Sequence, residues 1–215
     1  MSDLSINDSA TNEPSAENAE NDSAWASVIT PLSVDALMDF CADTERLFRI
    51  NPMLVFTQWE KTSENHYTFS GQNSSQEKAF DFEFGLSVSK LDDGYRFDYD
   101  KGVKSSTVIK IEADEQGSKL TITDRYDRLP ASERESLLHE VDQSLVIWAE
   151  YLQKFCISWK SWSKFALWRW YMRRIWQPMK PTARRITYML LWITFLEIAL
   201  LILGAGVYYT EFVLI

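Results

Sequence analysis

The chain has 215 residues, 46% hydrophobic and 25% charged, a balance that supports a packed core and excludes a wholly disordered chain, a collagen or a coiled-coil rod. Two cysteines exclude a disulfide scaffold, and two histidines leave little from which to build a His-based centre. The net charge of −9 hides a partition: residues 1–150 carry 13 Lys/Arg against 29 Asp/Glu, residues 151–185 carry nine Lys/Arg and no acid, and residues 186–215 hold only Glu197 and Glu211. An acidic body is a poor partner for nucleic acid, because phosphate contacts need clustered cations.

In chain order, residues 1–23 hold six acids, no base and no aromatic residue, too little apolar surface to offset the entropy of ordering. The expectation is an acidic disordered tail, without the basic and apolar regions of a signal peptide. Residues 24–128 read mostly as strands. Trp25–Pro31 is a first short strand. Ser33 caps a helix over Val34–Cys41, and Thr44 opens a second over Glu45–Ile50 that Asn51-Pro52 ends. Six further runs, at 53–61, 66–71, 78–91, 95–100, 104–113 and 119–128, are separated by short turn signals and predict an antiparallel meander. Phe80, Phe82, Phe84, Leu86 and Val88 alternate with Asp81, Glu83, Gly85 and Ser87, so one face of the sheet is covered.

A capping box at Ser132 and Glu135 opens a long helix. Its apolar stripe runs Leu138, Val141, Leu145, Trp148, Leu152, Phe155, Trp159, Trp162, Ala166, and the folded domain is expected to end there, at 24–166. Residues 167–185 mix Trp168, Trp170 and Trp176 with Arg169, Arg173, Arg174, Arg184 and Arg185. Such a mixture suits the headgroup zone of a bilayer, so these eight residues are expected at a membrane interface. Residues 186–209 carry one charge, reach about 36 Å as a helix and can cross a hydrocarbon core of about 30 Å. The basic flank places the body in the cytosol as a tail-anchored, single-pass protein, with 210–215 on the far side. Glu197 is mid-span. Thr194, Glu197, Leu201 and Gly204 share a helix face, the pattern of contact with a partner transmembrane helix.

The order of one strand, two short helices, six meandering strands and a long helix resembles the START-like, or polyketide cyclase-like (SRPBCC), superfamily. The text from Ile29 to Phe40, followed by Arg49-Ile-Asn-Pro52, resembles the opening of that family over about residues 24–166. The resemblance implies an α+β helix-grip fold, a sheet wrapped around the long C-terminal helix, with an apolar cavity between them. It implies binding or transfer of a lipid or isoprenoid-like molecule. The expected lining is Phe80, Phe82, Phe84, Tyr95, Phe97, Ile109, Ile111 and Ile122 from the sheet, with Leu145, Trp148 and Leu152 from the helix. The alternatives are a packed core without a ligand, an accessory subunit docking through its span, and a cyclase- or dehydratase-type enzyme.

No catalytic constellation, metal site or cofactor motif is evident. His66 and His139 lack a second ligand at metal spacing. Cys41 and Cys156 read as buried thiols. The acid pairs Asp98/Asp100 and Asp124/Asp127 read as solvated faces.

Overall fold

The computed structural model describes residues 23–128 and 142–212. Seven strands form one antiparallel sheet: β1 (Ser23–Thr30), β2 (Leu54–Ser63), β3 (His66–Asn73), β4 (Phe80–Leu91), β5 (Gly94–Tyr99), β6 (Ser106–Asp114) and β7 (Gly117–Arg125). Their spatial order is β1-β7-β6-β5-β4-β3-β2. Each strand from β3 to β7 pairs with its predecessor, as short turns dictate. The first strand closes beside the last, with Ala26 opposite Ile122. The sheet curves around α3 (Leu145–Trp162), and α1 (Val34–Cys41) and α2 (Thr44–Arg49) close one end. This is the helix-grip architecture expected from the order of elements.

Local chemistry explains the boundaries. Ser33 caps α1 by accepting from Ala36 N, as its position before an apolar run predicts. The cap of α2 is Asp43, whose Oδ1 accepts from Arg46 N at 3.2 Å, and Thr44 is already helical. A carboxylate is an equally good acceptor one residue earlier. Among the described residues the long helix begins at Leu145. Ser132, Glu135, Leu138, His139 and Val141 lie outside them.

The core forms where the inner sheet face meets α1, α2 and α3. Trp148 is 2% exposed, packs 5.2 Å from the Phe48 ring and donates its indole N–H to Leu47 O at 3.0 Å. Phe97, Ile109, Leu120, Ile122 and Leu152 are fully buried around it. Arg46 reaches into the same corner. Its guanidinium lies 4.4 Å from the Phe40 ring centre and donates to Phe40 O at 2.8 Å, joining α1 to α2. Cys41 and Cys156 are buried as expected, and burial pushes the Cys156 thiol up to about 12.

The sheet edges are handled differently. Outside β1, side chains of α3 cover edge carbonyls: Gln153 donates to Ile29 O at 2.9 Å and Lys160 to Pro31 O at 2.6 Å. On the other edge β2 is irregular, with bulges between Phe56 and Gln58 and between Lys61 and Ser63.

Packing continues past Ala166. α4 (Ala166–Tyr171) runs into a π-helical turn, Met172–Trp176, then α5 (Pro181–Phe212) leaves the body. Met172 is buried in the core, and the Trp168 and Trp176 rings lie 5.5 and 5.3 Å from Trp159 and Phe155. α5 is long and apolar enough to cross a membrane, with mean hydropathy 2.3 and none of that window buried.

Candidate functional site

A cavity of about 50 Å³ lies between the sheet and α3. Aromatic walls come from Phe69 on β3, Phe80, Phe82 and Phe84 on β4, Tyr99 on β5, Phe48 on α2 and Trp148 on α3. Inner-face alternation brings the β4 trio to the same side. The Phe82 and Phe84 rings stack at 5.6 Å, and Phe84 meets Tyr99 edge-on at 5.8 Å. Gly102, at φ +91°, lets the β5–β6 connection close over Phe84. A Cβ there would sit 2.6 Å from the Phe84 ring.

One end of the cavity is polar, lined by Asn51, Asn73, Lys104, Tyr126 and Asp142. Lys104 Nζ pairs with Asp124 Oδ2 at 2.7 Å and with Asp142 Oδ2 at 3.1 Å. Thr107 Oγ1 donates to Asp124 Oδ1 at 2.5 Å and bonds the Tyr99 hydroxyl at 3.1 Å. Ser144 N donates to Asp142 Oδ1 at 2.9 Å, and Asn51 Nδ2 donates to Ser144 Oγ at 2.6 Å. Tyr126 OH reaches Asp142 O at 3.5 Å, the limit of a hydrogen bond.

The electrostatics follow from burial and pairing. Burial lowers the basicity of Lys104, but the Asp124 and Asp142 carboxylates outweigh it and hold its pKa well above the ordinary value. Burial raises Asp142, but the Lys104 ammonium and the Ser144 hydrogen bonds override it and hold its carboxyl low. For Asp124 burial dominates, and its pKa is raised despite Lys104. Lys101, which pairs with Glu83 at 3.3 Å, also lines the cavity, so its charged groups are of both signs.

The sequence expectations divide at this site. Phe80, Phe82, Phe84 and Trp148 line the cavity. Tyr95, Phe97, Ile109, Ile111, Ile122, Leu145 and Leu152 are buried, packed core residues outside its lining. Asp124 is not on a solvated face: it is fully buried. The signal was available, since Leu120, Ile122 and Asp124 share strand parity and so share the inner face. Lys104 and Asp142 carried no comparable signal, because a loop brings each of them in. His66 is exposed at the start of β3. Among the described residues no group of three His, Cys, Asp or Glu could hold a metal ion.

No protein-family model and no curated protein sequence matches the chain. Several solved structures are similar to it at low identity. A protein of Thermus thermophilus is 11% identical, with a TM-score of 0.46 over 62% of this chain and 96% of that one. A STAR-related lipid transfer protein of Xanthomonas axonopodis is 11% identical, with a TM-score of 0.42 over 62% and 85%. The di-domain aromatase/cyclase of the steffimycin biosynthetic pathway is 10% identical, with a TM-score of 0.47 over 67% and 54%.

The eight residues expected at a membrane interface are split. Arg169, Trp170, Arg173, Arg174 and Arg185 are exposed. Trp168 and Trp176 turn inward onto α3, and Arg184 is 7% exposed. Arg184 donates to Arg49 O at 2.6 Å, Gln177 O at 3.0 Å and Trp176 O at 3.1 Å. Three carbonyls at the ends of short helical segments satisfy its fork, a role composition could not distinguish from a headgroup contact. Along α5, Thr194, Glu197, Leu201 and Gly204 are exposed, and nothing lies within 4 Å of a Cβ built on Gly204.

Proposed function

We propose that this chain is a membrane-held binding module for a hydrophobic small molecule. Its body lies in the cytosol, and α5 is its single anchor. The observation that carries the reading is the aromatic-walled cavity with one polar end, held between a curved sheet and a packed helix. Small-molecule sites share this design: apolar walls with a few convergent polar groups. At about 50 Å³ the cavity as it stands takes only water-sized guests. A lipid-like guest requires the half-buried Phe80, Phe84 and Leu54 to turn aside. Burial of its chain then supplies about 25 cal/mol per Å² before costs. Binding and exchange with the bilayer is favoured over catalysis, because among the described residues no nucleophile–base pair lines the cavity. The test is mass spectrometry of the full chain purified in mild detergent. A stoichiometric amphipathic molecule retained after extensive washing supports the reading, and an empty protein from several hosts speaks against it.

A second reading rests on Glu197. A carboxyl in the middle of an apolar span costs about 2.5–3.5 kcal/mol to insert, and a partner helix would satisfy it. On that reading the chain is an accessory subunit that docks through α5.

A further inference from the structure

We propose that the corner joining α3 to α4 is a second, peripheral membrane contact, which sets exposed apolar side chains into the headgroup layer of an anionic leaflet and fixes which way the body faces. The inference rests on the reading of α5 as the anchor and adds the class of lipid that the body meets beside it.

Exposed apolar bulk gathers at this corner. Trp162 is 53% exposed, Phe165 58%, Leu167 77% and Trp170 53%, all within one short stretch of chain outside α5. The segment also has side chains that pack. Trp168 meets Trp159 at 5.5 Å, and Met172 enters the core. α4 therefore spends one face on the body, and Leu167 and Trp170, three apart, share the face left over. The Trp162 and Phe165 rings lie 5.9 Å from each other, and both stay more than half exposed. An apolar patch rimmed by charge marks a docking surface.

Two observations name its occupant. The first is charge. Residues 151–185 hold nine Lys/Arg and no acid, and Lys164, Arg169 and Arg174 are exposed around the patch. Arg169 donates to Ser163 O at 2.6 Å, which holds it at the corner. Residues 1–150 are acidic, with 29 Asp/Glu against 13 Lys/Arg. An anionic leaflet thus attracts this corner and repels the rest of the body.

The second is position. α4 runs through the π-helical turn towards α5, and the two are tied together. Arg184, in the first turn of α5, donates to Trp176 O and Gln177 O, and Met179 N donates to Trp176 O. Burial raises the Tyr171 hydroxyl's pKa and the Tyr188 phenol adds to it, so the end of α4 lies beside the early turns of α5. The patch is held near the point where α5 becomes apolar, and headgroups occupy that level of a bilayer. Trp rings and cations both suit the layer. A lone spanning helix is free to tilt and to turn about its own axis, and a second contact beside it removes that freedom.

The test uses the full chain in nanodiscs, with one introduced cysteine carrying a nitrobenzoxadiazole dye. Cys41 and Cys156 are buried, so the dye goes to the new thiol. Leu167→Cys reports the patch and Leu196→Cys the middle of α5. The discs are phosphatidylcholine alone or with about 30% phosphatidylserine, and contain nitroxide lipids labelled at the headgroup or in the acyl chain. Headgroup quenching at position 167 is expected to rise about threefold or more with phosphatidylserine, and to fall back at about 0.5 M salt. Lys164→Glu combined with Arg174→Glu is expected to abolish the rise. Absent quenching at 167, or equal quenching in both compositions, overturns the proposal. So does a folded Lys164→Glu, Arg174→Glu chain with an unchanged rise. Shielding of the dye at 167 from aqueous iodide without nitroxide quenching means that a second copy covers the patch, and also overturns it. The comparison of lipid compositions stays decisive even where the double variant does not fold. Acyl-chain quenching at 196 in both compositions reports the anchor separately. Its loss removes the anchor reading, whereas its presence beside an unquenched 167 removes only the peripheral contact.

Discussion

The Arg184 guanidinium lies 3.9 Å from the centre of the Trp176 ring and shares its hydrogen bonds among three backbone carbonyls, one of them at the end of α2. The first turn of α5 is therefore fastened to the folded body. Arg184→Ala removes a stacked cation and three charge-assisted hydrogen bonds, and is expected to destabilise the body by about 2–3 kcal/mol. Arg184→Lys keeps the charge but not the planar fork, and should recover only part of this. Thermal unfolding in detergent and hydrogen exchange at residues 172–177 measure both. Unchanged protection in Arg184→Ala would show that the clamp contributes nothing.

Truncation should reveal the same fastening. A chain ending after Gln177 loses both the span and Arg184, whereas one ending after Ile186 keeps the clamp. Both are expected to leave the membrane without detergent. The longer should melt higher, by about the Arg184→Ala difference. Equal melting temperatures would contradict the role given to Arg184.

The Lys104 triad predicts a reversal in pH dependence. In the parent, Asp142 is held below and Lys104 above its ordinary pKa. A depressed carboxyl contributes stability that is present above its unfolded pKa of about 4 and is lost as pH falls. A raised lysine contributes stability that is present below about 10.4 and is lost as pH rises through its folded value. Asp124, raised by burial, runs the opposite way and blunts the acid loss. Lys104→Met leaves two carboxylates uncompensated and should cost about 3–5 kcal/mol near neutral pH. Both acids then titrate high, so the variant should gain stability as pH falls from about 8 to about 5. Chemical denaturation across that range decides it, and a variant that loses stability toward pH 5 would refute the triad's electrostatics.

Cavity and core should respond differently to added volume. Val103 lines the cavity, whereas Ile111 is packed in the core away from it. Val103→Leu should be tolerated within about 1 kcal/mol while reducing the amount of amphipathic molecule retained on purification. Ile111→Trp should destabilise by about 3 kcal/mol or more by overpacking. Similar melting temperatures for the two variants would mean that the space at Val103 is not usable.

The accessory-subunit reading has its own measurement. Glu197→Leu and Gly204→Leu should each lower the yield of co-purifying membrane proteins at equal expression, in part, because interhelical hydrogen bonds in lipid are worth only about 0.6–2 kcal/mol. Unchanged yields leave α5 as a passive anchor.

Much of the scaffold was legible in the amino-acid sequence because its causes are local. Strand alternation at Phe80–Val88, the Ser33 cap and the three-four stripe from Leu145 to Trp162 each need only near neighbours. The site was legible in part. Phe80, Phe82 and Phe84 follow from parity, but the depth of the cavity depends on where β5, β6 and α3 fall relative to them, which parity leaves open. Lys104 and Asp124 are 20 residues apart and Asp142 is 38 from Lys104, so their meeting is a consequence of topology. Charged residues are almost never fully buried unless paired, so a solvated face was the natural reading for Asp124 taken alone.

The two treatments of the sheet's borders bear on life at high surface density. A chain tethered to a bilayer meets its own copies in two dimensions, where confinement raises effective concentration without any new attraction. A regular, uncovered border strand would then invite strand-to-strand polymerisation along the membrane plane. On one border Gln153 and Lys160 already occupy carbonyls that a neighbour would need. On the other, two bulges and the exposed pair Glu60 and Lys61 break the straight ladder such growth would copy. If α5 anchors the chain as proposed, these two borders would let copies crowd on a membrane while each remains separate.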